Sequence, residues 1–101
     1  MQSQVEKHRA ACVQARAAAW TANKDCFDAV ETGDVETAAR AYAACDQAAW
    51  DCAAAYERES AWLNGESLTS RARVMDAMTW AGEARGALKA LRLIRRAEGA
   101  A

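Results

Sequence analysis

No proline interrupts this chain of 101 residues, and 28 of them are alanine. Proline removes a backbone donor and clashes inside a helix, whereas alanine loses the least side-chain entropy there. With only five glycines as further punctuation, the sequence predicts an all-α class. A chain of this length holds one domain, expected to span 1–101.

Two breaks stand out. Glu31-Thr32-Gly33-Asp34 joins a turn glycine to a capping acid, and Asn64-Gly65-Glu66-Ser67 repeats that chemistry. They predict helices over roughly 3–31, 34–63 and 67–97, each some 40 to 45 Å long at about 1.5 Å per residue. Short connections force antiparallel neighbours, so the expected architecture is an up-down-up three-helix bundle with alanine-rich seams.

Hydrophobic spacing agrees. The middle segment carries Val35, Ala38, Tyr42, Cys45, Ala49, Cys52, Tyr56 and Leu63 at steps of three and four, interrupted at Glu59. The first segment gives Val5, Cys12, Ala19 and Cys26 at steps of seven, with Val13, Trp20 and Phe27 in the adjoining row. The third gives Ala77, Trp80, Ala84, Ala87, Leu91 and Ile94, flanked by Val74, Met78, Ala81 and Leu88. Large apolar side chains are few, so the core is thin, and a partner or a homodimer is an open expectation.

Two short stretches resemble known signatures. Gly33-Asp34-Val35-Glu36 with Ala38, Tyr42 and a small residue at 45 resembles the second half of a tetratricopeptide repeat, over about a dozen residues and without a second copy. Trp80-Ala81-Gly82 resembles the WxG signature of small secreted helical hairpins, but falls within a helix rather than at a central turn. Neither family is assigned.

No run reaches the 18 apolar residues of a membrane span, and Met1 to Arg9 carry charges where a signal peptide has its apolar stretch. The expected location is cytoplasmic, with reduced thiols. Cys12 and Cys26 lie 14 residues apart, whereas Cys45 and Cys52 lie 7 apart. A hairpin therefore admits one disulfide, Cys12 to Cys52, but not two. Small buried cysteine is a common filler between close helices, and that is the first reading of all four. The alternative is thiolate metal binding by His8, Cys12 and Cys52, which helix spacing and chain reversal bring level.

Catalytic signals are sparse. One histidine, no Gly-rich phosphate loop and no nucleophile–base–acid arrangement predict a protein that is not an enzyme and uses no cofactor. Three other features invite a binding role. Asp25, Asp28 and Glu31 crowd the end of the first helix, where negative charge opposes the dipole, and Asp34 and Glu36 follow, with Lys24 as the local counter-charge. Trp50 sits one position off the middle seam, and burial against the third helix is its first reading, a binding anchor its second. Gly82 and Gly86 form a flat row expected to receive a ring, Trp20 or Trp50, or to serve as a contact with a partner.

Charge is uneven. Residues 1–66 hold 6 basic and 11 acidic side chains, and residues 67–101 hold 7 and 3. Arg85, Lys89, Arg92 and Arg96 draw a basic stripe that suits either a helix C-terminus or phosphates, with no aromatic interleaved along the helix. The leading expectation is a small protein-binding module with a partner of basic surface, of the inhibitor or adaptor kind carried by phages and mobile elements, anti-CRISPR-like. Its expected contacts are Asp25, Asp28, Glu31, Asp34, Glu36 and Trp50. Nucleic-acid binding through the basic stripe ranks second and a Cys/His thiolate metal binder third; no membrane partner is expected.

Overall fold

The computed structural model describes residues 3–100, with the side chain of Ala100 left aside. Three helices follow in order: α1 Gln4–Thr32, α2 Val35–Leu63 and α3 Leu68–Ala100. The up-down-up bundle is as expected. Pairs across α1 and α3 climb together, from Arg16–Asp76 through Asn23–Trp80 to Cys26–Ala84, so these helices run parallel with α2 reversed between them.

Local chemistry sets the boundaries. Ser3 caps α1 by accepting from the Glu6 amide at 3.1 Å. Gly33 closes it in the left-handed region at φ 76°, where the Asp34 amide donates to Ala29 O at 2.9 Å. Asp34 then caps α2 through the Thr37 amide. At the second turn Asn64, not Gly65, takes the positive φ, at 56°, because its side chain is small enough for the left-handed region. The third helix runs through Gly99, past the expected end at residue 97.

The bundle is thin, with principal extents of 60 × 22 × 14 Å. Its interior is built from Cys12, Ala19 and Cys26 on α1, Ala38, Cys45 and Cys52 on α2, and Ala77 and Ala84 on α3. Leu88 and Leu91 are the only large aliphatics among the buried described residues. Small side chains let the helix backbones approach, and that approach leaves no room between them for rings. Several expected core members are consequently outside: Val13, Trp20, Phe27, Leu63 and Ile94 are each more than a third exposed. Conversely, Glu59 continues the α2 seam that it was expected to interrupt and is wholly buried.

The glycine row also departs from expectation. A side-chain carbon added at Gly82 or Gly86 would meet nothing within 4 Å. Trp20 instead packs on Trp80, ring centroids 5.0 Å apart, with the Arg16 guanidinium 4.8 Å from the Trp80 ring.

Candidate functional site

The acidic end of the molecule forms a groove. Asp25, Asp28 and Thr32 of α1 face the capping Asp34 and, on α2, Thr37 and Arg40 across an open cavity of ≈ 540 Å³. Glu31 and Glu36 are exposed but do not line it. Asp34 is occupied as a cap: Thr37 Oγ1 donates to it at 2.6 Å, and the two Thr37 bonds hold its carboxyl below the usual range. Two cations temper this end, where the sequence offered Lys24 alone. Arg40 stands in the groove and donates to Thr37 Oγ1, and Arg95 of α3 donates from Nη2 to Gly33 O at 2.7 Å. The dipole of α1 is therefore answered from another helix, a contact that sequence spacing does not show.

Trp50 is 60 % exposed, so the expected burial against α3 does not occur. The reason is angular: the α2 residues that face its neighbours are Cys45, Ala48, Ala49 and Cys52, and position 50 turns about 100° past Ala49. Nor does Trp50 join the acidic groove; it stands about 20 Å along α2 from Glu36, at roughly 1.5 Å per residue. The structure thus separates the expected protein-binding residues into a groove with Asp25, Asp28 and Asp34, two exposed acids outside it, Glu31 and Glu36, and a distant anchor, Trp50.

The basic residues do come together. Arg85, Lys89, Arg92 and Arg96 are exposed and line a second groove, of ≈ 320 Å³, with Tyr42 of α2 as the facing ring. The aromatic that the stripe lacks along its own helix is supplied across the α2–α3 interface. Its seam position on α2 was the available signal.

The four cysteines are free and fully buried. Each sulfur lies against a carbonyl of a neighbouring helix: Cys12 on Ser70 O, Cys26 on Ala84 O, Cys45 on Ala19 O and Cys52 on Cys12 O, at 3.3 to 3.8 Å. Burial raises the Cys26 and Cys45 thiols, and burial with the adjacent Cys12 pushes the Cys52 thiol up to about 12. Such thiols behave as weak donors that satisfy themselves between helices. The His8, Cys12 and Cys52 ligand set does not assemble, since no three His, Cys, Asp or Glu side chains are grouped to hold a metal among the described residues.

Glu59 is the residue that sequence reading passed over. Ser70 Oγ donates to its Oε1 at 2.6 Å, Arg73 Nη1 donates to Ser70 Oγ at 3.1 Å, and Arg9 Nε lies 3.5 Å from Oε2. Oε2 has no hydrogen-bond partner among the described residues. Burial pushes this carboxyl up, and the hydroxyls of Ser67 and Ser70 with the charge of Arg9 outweigh it, leaving it below the ordinary value. Its position at three then four steps between Tyr56 and Leu63 is the signal that could have found it.

No protein-family model, no curated protein and no solved structure matches this chain. No helix among the described residues is long and apolar enough to cross a membrane.

Proposed function

We propose that this protein is a binding module that acts by occupying a surface of another protein. The observation that carries the reading is Trp50. A tryptophan 60 % exposed on a helical scaffold is the side chain most enriched among residues that dominate interface energetics. It is flanked one turn away by Asp46 and Ala54, with Glu57 a further turn on, so an anchoring ring stands on an alanine shelf with an acidic rim. The acidic groove at Asp25 and Asp28 gives the same charge preference at the end of the bundle. A partner surface of positive charge suits both.

Within this reading the role is that of an inhibitor or adaptor, of the kind found in phages and mobile elements and including anti-CRISPR proteins. Blocking a basic surface asks for a stiff scaffold, negative charge and an aromatic anchor, and no reacting groups. The test is paired affinity capture from lysate with the native chain, Trp50→Ala, and a variant carrying Asp25→Asn, Asp28→Asn and Glu31→Gln. Trp50→Ala should release the captured protein, and the charge variant should flatten the salt dependence of capture. Equal yield of the same proteins with all three chains would end the proposal.

A further inference from the structure

The cations in the α2–α3 groove exceed what helix stability asks for. The dipole rewards positive charge only within the last turn, yet Arg85 and Lys89 lie several turns before the end of α3. Like charges at steps of three and four repel, so the row Arg85, Lys89, Arg92, Arg96 is unfavourable to α3 on its own. None of the four lies within ion-pair distance of an acid among the described residues, whereas Arg16, Arg71 and Arg95 are each paired. Among the described residues no carboxylate lines the groove; Leu88 and Leu93 complete its wall, and the half-buried Tyr42 lines it from α2.

We propose that this groove binds nucleotides, with successive phosphates lying along the four cations and one base stacked on Tyr42. A positive track beside an aromatic face is the arrangement that holds single-stranded nucleic acid without reading its sequence. A bare phosphate leaves the ring unused. An acidic peptide would neutralise the cations but stacks on Tyr42 only where it also carries an aromatic residue, whereas every nucleotide brings a planar base. A duplex keeps its bases inside the stack, out of reach of Tyr42. Free nucleotide and single strand share the chemistry that fits. The inference uses none of the residues assigned to protein binding.

Fluorescence anisotropy tests it with a short labelled single-stranded oligodeoxynucleotide, and with labelled duplex and polyglutamate as comparisons. With four phosphates neutralised, affinity for the strand should fall about 50-fold between roughly 50 and 200 mM salt. Replacing Arg85, Lys89, Arg92 and Arg96 together by Gln should abolish binding. Tyr42→Leu should weaken it by at least about fivefold while Tyr42→Phe retains it, since stacking needs the ring and not the hydroxyl. Should Tyr42→Leu lower the thermal melt, the double variant Arg85→Gln, Lys89→Gln decides alone, both residues being exposed. Displacement by excess ATP would show that a free nucleotide suffices, and resistance to it would show that a strand is needed; either outcome supports the site. Absence of binding at low salt, binding unchanged by the charge variants, or equal affinity for polyglutamate with no effect of Tyr42→Leu would each overturn it.

Discussion

The sulfur of Cys12 lies 3.3 Å from the sulfur of Cys52, at the point where α1 and α2 close on each other without large side chains between them. Both are wholly buried and the Cys52 thiol is raised to about 12, so the thiolate that would react is scarce at neutral pH. In the native protein all four thiols should therefore resist DTNB, and all four should titrate once the chain is denatured. Prolonged exposure to a small oxidant should yield a single intramolecular disulfide, Cys12 to Cys52, read by peptide mass mapping. Closing a loop of this length stabilises the fold by at most about 4 kcal/mol. A Cys26–Cys45 crosslink in its place would contradict the register of α1 on α2.

Glu59 makes stability depend on acid. Its carboxyl is held below the ordinary value in the folded state, so the unfolded chain takes up the proton first as pH falls. The stabilisation is complete above the unfolded value, near pH 4.5, and is lost as pH drops through the lower folded value. Urea unfolding followed from pH 7 to pH 3 should show that decline. Glu59→Gln, which keeps an acceptor for Ser70 but gives up the charge facing Arg9, should cost about 1 to 3 kcal/mol at neutral pH and flatten the acid limb. An unchanged acid limb in the variant would mean that other carboxylates carry it.

These two sites show where sequence pattern reached and where it stopped. Turn chemistry at Gly33 and at Asn64, together with the step-of-seven row from Cys12 to Cys26, was enough for three helices and their direction, because those signals are local and periodic. What the pattern missed depends on how close the helices come. Hydrophobicity alone assigns Val13, Trp20 and Phe27 to a broad inner face, but a seam of Ala and Cys brings backbones together and excludes them. Glu59 was passed over because a charge on a seam reads as an interruption, and only the serines of the next helix reveal why it is tolerated. Arg95 on Gly33 O and Tyr42 beside Arg85 are contacts between helices, invisible to spacing along either one.

The open row at Gly82 and Gly86 offers an inexpensive check of the packing. A helix-interior glycine costs about 1 kcal/mol relative to alanine, and here an added methyl group meets nothing within 4 Å. Gly82→Ala and Gly86→Ala should each raise stability by about 0.5 to 1 kcal/mol in thermal or urea unfolding. A loss of stability that grows with protein concentration would reveal a second copy seated on this face of α3.

The acidic end of α1 and Arg95 form a coupled pair of effects. Asp25, Asp28 and Glu31 lie where the helix dipole is negative, and Arg95 brings a guanidinium from α3 to the Gly33 carbonyl at 2.7 Å. Arg95→Ala removes a charge-assisted bond and should lower stability by about 1 kcal/mol, more than Arg96→Ala, since Arg96 makes no such contact among the described residues. Replacing Asp25, Asp28 and Glu31 by Asn, Asn and Gln should raise stability slightly, by up to about 1 kcal/mol at low salt, since Arg95 already offsets part of the dipole penalty. The gain should be larger when Arg95 is also alanine, because the penalty is then uncompensated. A double-mutant cycle by urea denaturation at low and high salt measures this coupling, which should shrink as salt screens it. If the three neutral substitutions instead destabilise the chain, their carboxylates are holding Arg95 in place, and the acidic end is part of the scaffold rather than charge available to a partner.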